Sequence, residues 1–423
     1  MTRTDPAEPG EQNAAPLAER ILVVGAGHAA VQLAANLRQE GHEGSIILIG
    51  DEPGLPYQRP PLSKAYMKDG DAERLVLKPQ SFFEKNAIER RESARVVSVD
   101  RAGRTVRLED GETIGYDHLV FATGARNARP PIEGADREGI AELRSLAHAR
   151  AIRDRLEASM RAIVVGGGFI GLEFAAMAEA AGVATTVLEA GSRLMARAVS
   201  PAISARFLAH HRLSGTDVRL GAKVVAIEAR QSPDPERVHL ESGEVLEGDL
   251  VLVATGVRAN SELAEAAGLA CENGITVDET LSTEDAAVSA IGDCAAVPGA
   301  FGARERLESI QAATDQARHL ARRLTGKGGG AYHAVPWFWS DQGPLKLQIA
   351  GLTAEARAFV EAGEDMVLGF REDRLVSVET VNRPGDHMAA RKILAGDEPP
   401  SRAALEAVGF DLRAFAKASK PEA

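Results

Sequence analysis

Arg161-Ala162-Ile163-Val164-Val165-Gly166-Gly167-Gly168-Phe169-Ile170-Gly171-Leu172-Glu173 leads, after a further apolar stretch, to Val183-Ala184-Thr185-Thr186-Val187-Leu188-Glu189. The run Ala162 to Val165 reads as a buried parallel strand. Phe169 to about Ala181 reads as a helix, and the second apolar run as a strand ending at Glu189. Between strand and helix stands Gly166-x-Gly168-x-x-Gly171. Gly166 permits a tight turn, Gly168 lets backbone N–H groups approach a pyrophosphate, and Gly171 lets helix and strand pack closely. The phosphate would sit at the helix N-terminus, where unpaired N–H groups and the helix dipole favour negative charge. Glu189 lies 18 residues past Gly171, near the spacing at which a carboxylate meets an adenosine ribose. The glycines alone are a weak signal. Strand, glycines, helix and acid in that order read as a dinucleotide-binding unit.

The stretch lies mid-chain, and a second copy precedes it. Ile21 to Val24 is a strand, and Gly25-x-Gly27-x-x-Ala30 opens a helix to about Glu40. Ser45 to Gly50 is the next strand, and Asp51 follows. Both copies continue alike. Strand-like segments at Arg95–Asp100 and Thr105–Leu108 precede Ala122-Thr123-Gly124, and segments at Lys223–Glu228 and Arg237–Leu240 precede Ala254-Thr255-Gly256. Two βαβ units, each with a β-meander and a strand ending in Ala-Thr-Gly, define an α/β protein with two Rossmann-like nucleotide-binding domains. Further on, a short apolar strand ends at Gly292-Asp293. A helix over Asp315 to Thr325 carries Arg318, Arg322 and Arg323. From Val335 the pattern becomes alternating β segments with a helical end, an α+β domain.

Bulk properties narrow the function. At 423 residues two or three domains are expected. No apolar run approaches the roughly 18 residues of a membrane span. Met1 to Glu19 has no apolar core and reads as a disordered tail rather than a leader. A net charge of −12 argues against nucleic acid or an anionic membrane as partner. Cys271 and Cys294 are the only cysteines and form no Cys-x-x-Cys. That excludes a disulfide framework, a Cys-ligated iron–sulfur cluster and a structural zinc site, and a cytoplasmic protein with no metal is the simplest reading.

More specific strings accompany the glycines: Pro56-Tyr57-Gln58-Arg59-Pro60-Pro61-Leu62-Ser63-Lys64 and Pro336-Trp337-Phe338-Trp339-Ser340-Asp341-Gln342. With Ala122-Thr123-Gly124 and Gly292-Asp293 in order, the chain from about Arg20 onward resembles the bacterial FAD-containing NADH:ferredoxin reductases. These are putidaredoxin-reductase-like proteins that serve cytochrome P450 and ring-dioxygenase systems. The resemblance implies a glutathione-reductase-like fold: a split FAD domain (20–128 and 256–335), an inserted NADH domain (129–255) and a C-terminal α+β domain (336–423) over the flavin. It places Gly25, Gly27, Ala29, Ala30, Asp51, Arg59, Lys64, Val96, Thr123, Gly124, Arg126, Arg144, Asp293 and Ile310 at FAD. Gly166, Gly168, Gly171 and Glu189 fall to NADH, and Gly256, opening the second FAD segment, and Trp339 are further cofactor-binding candidates. Lys64 and Glu173 would pair near flavin N5, where a cation favours the anionic reduced flavin, although a solvated Lys and a helix-surface Glu are the plainer alternative. Trp337 and Trp339 lie beside the flavin and its exit side, or simply pack a domain junction. Glu189 would accept from a ribose 2′-hydroxyl and repel a 2′-phosphate, favouring NADH.

Disulfide reductases of this broad fold carry cysteines just after the first βαβ unit, and this chain has none before Cys271. Electrons from NADH would therefore pass through FAD to an external acceptor. That acceptor would be a [2Fe-2S] ferredoxin, docked transiently and electrostatically on a reductase that is a monomer or weak dimer. Such ferredoxins are acidic, so docking would need a local basic face, with Arg318, Arg322, Arg323 and Lys392 beside Arg391 as candidates. A rubredoxin reductase, an NADH oxidase and a redox-gated flavoprotein interaction factor stay open as alternatives.

Overall fold

The computed structural model describes residues 19–228, 235–299, 302–396 and 398–418. The expected tail, apart from Glu19, lies outside them. The first sheet is fully parallel, in the order Val288–Ala290, His118–Phe121, Arg20–Val24, Ser45–Ile49, Ile88–Arg91. Its inner strands are nearly all apolar and buried on both faces, as a sheet covered on both sides requires, while the edge strand Ile88–Arg91 is mostly charged. The chain leaves this sheet after Phe121 and returns only at Val288, which pairs with Leu119. A second parallel sheet is built in between, in the order Asp217–Leu220, Ala184–Glu189, Arg161–Val165, Leu250–Val253. The outgoing strand Ala125–Asn127 and the returning strand Val257–Ala259 pair antiparallel, so the insertion hangs on a two-stranded ribbon. Each half carries a three-stranded meander: Val96–Asp100, Thr105–Leu108 and Thr113–Gly115, and Val224–Glu228, Glu236–Leu240 and Val245–Gly248.

The third unit is an antiparallel sheet in the order Trp337–Gln342, Leu345–Gly351, Arg374–Val381, Met366–Arg371, Ala358–Glu361. The helix Pro384–Leu394 and two shorter helices, Arg402–Glu406 and Leu412–Ala418, follow it. Trp337–Gln342 is thus an edge strand. Leu347, Ile349, Val367 and Val381 of this sheet share one apolar core with Leu172, Phe174, Val187 and Phe207 of the second half. Full burial of each such side chain is worth about 1.5–3 kcal/mol, so the third unit is tied to the second half by packing.

One helix differs from expectation. It runs Ile310–Leu324, starting five residues before Asp315. Ser309 is its cap, its Oγ accepting from Ala312 N at 3.0 Å, the usual device for an orphan first-turn donor. Asp315 lies inside the helix and accepts from Gln311 Nε2 at 2.9 Å. The helix start expected at Asp315 is therefore one turn and more too late, the cap being Ser309.

Candidate functional site

Both glycine loops open at the carboxyl ends of their parallel strands, where the strand order reverses and open α/β sheets form their crevice. The loops are built alike. Gly25 and Gly166 have φ of 121° and 113°. A Cβ on Gly25 would stand 2.2 Å from Ala122 O, and one on Gly166 2.5 Å from Ala254 O. In each half the first glycine is thus pressed on the alanine of Ala-Thr-Gly. Gly27 and Gly168 face open space, with nothing within 4 Å of a would-be Cβ. These are cradles that a side chain would fill, and the backbone N–H groups behind them are free to meet a phosphate. Gly171 packs close, its would-be Cβ 2.4 Å from Gly166 O. Ala30, at the matching position of the first loop, is fully buried.

From the first loop a cavity of about 510 Å³ runs between the two halves toward the third unit. Gly25, Gly27, Ala29, Asp51, Arg59, Lys64, Thr123, Gly124, Arg144, Glu173, Asp293, Ile310 and Trp339 line it. The residues fit an adenine-and-flavin dinucleotide: an open glycine cradle, an acid at the next strand end, and an elongated wall reaching Lys64, Glu173 and Trp339. Asp51 accepts from Arg95 Nη2 at 3.0 Å and is still largely exposed. Asp293 accepts from Arg144 Nη2 at 3.1 Å, while Arg144 Nε donates to Ala125 O at 2.8 Å. Val96 and Arg126 do not line the cavity. Val96 is in the meander and packs against the first core. Arg126 turns to Asn260 Oδ1 at 2.9 Å and to Glu262, because the crossing ribbon puts Arg258, not the cavity, beside its backbone.

Lys64 and Glu173 meet in this cavity. Lys64 Nζ is 2.8 Å from Glu173 Oε2, which also accepts from Ser63 Oγ at 2.6 Å, and Glu173 Oε1 accepts from Ser340 Oγ at 2.7 Å. Glu173 is buried, so its charge needs these donors. The carboxylate thereby joins all three units: Ser63 and Lys64 from the first half, its own helix Phe169–Ala180 from the second, and Ser340 from the third. Phe338 packs on Phe169 with ring centres 4.5 Å apart, walling the same junction.

In the second loop Glu189 turns back on the glycines. Its Oε2 accepts from Gly167 N at 2.8 Å and its Oε1 from Gly191 N at 2.6 Å. This explains the middle glycine, unremarked in the motif: a Cβ there would lie 2.6 Å from Leu194 Cδ2 and 3.1 Å from Glu189 Cβ. Gly256, with φ 105°, has Arg197 Nη2 at 3.0 Å from a would-be Cβ. Its counterpart Gly124, with φ 65°, has Arg144 Nη2 at 3.8 Å. Each Ala-Thr-Gly turn therefore carries an arginine.

Sequence reasoning missed several lining groups. Glu52 accepts from Tyr57 Oη and from Arg59 Nη2 at 2.5 Å, and Arg59 Nη1 donates to Arg144 O at 2.7 Å. Burial opposes the Glu52 charge, but Arg59 and the Tyr57 hydroxyl hold its carboxyl below the usual range. Burial, opposed by Arg59 and aided by Glu52, pushes the Tyr57 phenol up to about 12. Arg59 is thus occupied by protein partners, and the acid beside Asp51 was its available signal. Cys294, next to Asp293, is fully buried with Sγ 3.3 Å from Ile291 O, and the cavity has no thiol in its wall. Arg323, expected on a basic face, turns inward to Ser282 and to Ser289 Oγ at 2.6 Å. Arg318 and Arg322 on the same helix are exposed. Lys392 Nζ donates to Ala416 O at 3.1 Å, and the Arg391 guanidinium lies 4.3 Å from the Trp337 ring centre. Among the described residues there is no cluster of metal ligands, and no helix is long and apolar enough to cross a membrane.

Residues 19–317 match the pyridine nucleotide-disulphide oxidoreductase family and residues 337–416 the reductase C-terminal family. The chain belongs to the pyridine nucleotide-disulphide oxidoreductases and carries the reductase C-terminal domain. It is an FAD-containing oxidoreductase that uses NADH. It is 46% identical over 401 residues to rhodocoxin reductase of Rhodococcus erythropolis, covering 93% of each chain. It is 44% identical to the crystal structure of the ferredoxin reductase for the CYP199A2 system from Rhodopseudomonas palustris, with a TM-score of 0.89 over 94% of this chain and 100% of that one. The covalent putidaredoxin reductase–putidaredoxin complex matches with a TM-score of 0.89 at 35% identity, over 95% of this chain and 99% of that one.

Proposed function

We propose that the chain passes electrons from NADH, through FAD, to a [2Fe-2S] ferredoxin that feeds a cytochrome P450 or ring-hydroxylating oxygenase. The observation that carries this reading is the Lys64–Glu173 pair in a thiol-free cavity that opens from the first glycine cradle. With no cysteine in the wall, electrons have no protein disulfide to visit and leave to an outside acceptor. The similarity to rhodocoxin reductase, to a ferredoxin reductase of a P450 system and to a putidaredoxin reductase captured with putidaredoxin supports the acceptor class.

In this reading residues 20–128 and 256–335 hold FAD, 129–255 hold NADH, and 336–423 cover the far side. FAD supplies the chemistry when bound, accepting a hydride and returning electrons singly. The protein positions and tunes. Gly27 and Ala29 offer backbone to the pyrophosphate, and Asp51 accepts from ribose. Asp293, held by Arg144, accepts from the ribityl chain. Lys64 supplies positive charge beside the ring, and Glu173 fixes Lys64 in place. Glu189 holds the nicotinamide nucleotide's adenosine ribose. Trp339 stands at the exit side. Docking is transient and electrostatic, on a monomer or weak dimer.

NADH-dependent cytochrome c reduction, with and without candidate ferredoxins, tests the proposal. A large stimulation by one acidic ferredoxin is expected, and none by any ferredoxin would reject it. Two rubredoxin-NAD(+) reductases, at 39% and 38% identity, make rubredoxin the second acceptor to run in the same assay. Preference for rubredoxin would replace the ferredoxin reading.

A further inference from the structure

The buried contacts of Glu173 do not end at Ser340. Ser340 Oγ is 3.2 Å from Gln342 Nε2, Gln342 Oε1 is 2.8 Å from His211 Nε2, and Gln342 Nε2 is also 3.5 Å from Met195 Sδ. Ser340 and Gln342 are fully buried and His211 nearly so. Ser340 and Gln342 project from one side of the strand Trp337–Gln342, two residues apart, while Asp341 points to the other. His211 reaches them from the helix Pro201–Leu213.

The direction of each hydrogen bond can be derived. A thioether sulfur accepts only weakly and has no proton to give. The Gln342 group facing Met195 is therefore its NH₂, and its carbonyl faces His211. A carbonyl only accepts, so His211 must donate from Nε2. Burial holds the His211 imidazole below its usual pKa, the Gln342 bond opposing, so the ring is neutral near pH 7 with its proton on Nε2. Ser340 Oγ then accepts from Gln342 and must point its own hydrogen at Glu173 Oε1. Were the Gln342 amide reversed, its carbonyl would compete with Glu173 for that single hydrogen and weaken the bond to the carboxylate.

We propose that His211 is a positioning residue: through Gln342 and Ser340 it fixes the polarity of a hydrogen-bond chain that ends on Glu173 and so sets the Lys64–Glu173 pair. The charged group facing Glu173 is Lys64. Around His211 the neighbouring titratable group is His210, which itself faces Glu179 of the helix Phe169–Ala180. The consequence for turnover rests on the flavin lying against Lys64 and Glu173, as proposed above. The polarity itself does not.

Two measurements separate these. Long-range ¹H–¹⁵N NMR of the imidazoles in the full chain, assigned with His211→Gln, reads the tautomer with or without FAD. The Nε2–H form is expected, and an Nδ1–H form overturns the inference whatever the cofactor does. In the FAD-loaded protein, His211→Leu frees the Gln342 amide to reverse, and Ser340→Ala removes the donor to Glu173 itself. Each is expected to lower the rate of flavin reduction by NADH about tenfold, the scale of one hydrogen bond to a charged group. The flavin midpoint potential should move equally in both. The double variant should be no worse than either single one, since the two sites act in one chain. His211→Gln, which keeps a donor, should stay within about twofold of the parent. Additive losses, or a normal potential in His211→Leu, overturn the chain. Should His211→Leu not fold, Ser340→Ala against His211→Gln carries the comparison. If Lys64→Met leaves flavin reduction unchanged, the proposed placement of the flavin against the pair fails while the tautomer result stands.

Discussion

Lys64 Nζ stands 2.8 Å from Glu173 Oε2, and Glu173 is only 6% exposed. Removing one partner of a buried pair usually costs about 3–5 kcal/mol, because the other charge is left uncompensated. Here Ser63 and Ser340 would still donate to Glu173, so Lys64→Met is expected to cost less, about 1–3 kcal/mol. Lys64→Met/Glu173→Leu, with apolar groups at both positions, should recover part of that loss. Flavin reduction by NADH should stay slow in both variants. Urea unfolding and stopped-flow flavin bleaching check this. Recovery of the rate together with stability would show that the pair only holds the fold.

Glu189 is braced by Gly167 N and Gly191 N, so its carboxylate is already oriented toward the second glycine loop. Glu189→Ala removes both the acceptor for a ribose hydroxyl and the brace. NADH binding is expected to weaken by about tenfold, the scale of one or two charge-assisted hydrogen bonds. Discrimination against NADPH should fall further once an Arg is added to the loop. The ratio of kcat/KM for the two nucleotides is the measurement, and an unchanged ratio removes Glu189 from specificity.

The two halves were legible because their signals are local. A strand, a glycine turn and a helix are written within about a dozen residues, and both copies fold as read. The glycine geometry repeats down to the Ala-Thr-Gly contacts at Ala122 and Ala254. Contacts across distant segments were not legible. Arg126 and Arg323 look like free cations in sequence, yet partners 136 and 41 residues away, Glu262 and Ser282, claim them. The Lys64–Glu173 pair was reached by family resemblance. The serines completing it come from Ser63 and Ser340, and no spacing rule relates those positions. Glu52 was overlooked because Asp51 beside it already satisfied the ribose pattern.

His118 is buried at the start of the second strand of the first sheet, its Nε2 2.9 Å from Ser289 Oγ, which accepts from Arg323 Nη2 at 2.6 Å. The Arg323 guanidinium on the same hydroxyl leaves no carboxylate there to favour a charged imidazole. Burial, then the nearby Arg323, pushes the His118 pKa down to about 3 from 6.5. A folded pKa below the unfolded one gives stability that is complete above about pH 6.5 and lost as pH falls toward 3. Between pH 6.5 and 5 the loss from this residue is up to about 2 kcal/mol. His118→Gln, which cannot take up a proton, should flatten that part of the stability curve. Equal slopes in parent and variant by urea unfolding at pH 7 and pH 5 would show that His118 does not set it.

Arg318 and Arg322 are the two arginines of the helix Ile310–Leu324 that face water. Arg318 has only a 3.5 Å contact to Asp315, and Arg322 gives one bond to Lys327 O at 3.2 Å. Such exposed contacts are worth about 0–1 kcal/mol and are easily exchanged for a partner's carboxylates. Arg323 is committed inward, so replacing it would damage the fold rather than report on docking. If an acidic ferredoxin lands on this face, Arg318→Glu/Arg322→Glu should raise the KM for ferredoxin about tenfold or more, since each reversal turns attraction into repulsion. The KM for NADH and the direct reduction of ferricyanide should not change. Raising ionic strength from 0.02 to about 0.5 M should weaken parent turnover and narrow the gap between parent and variant, as the screening length falls below 10 Å. A salt-independent parent, or a variant with parental ferredoxin KM, would move the docking face elsewhere, with the Arg391–Trp337 surface next to be tested.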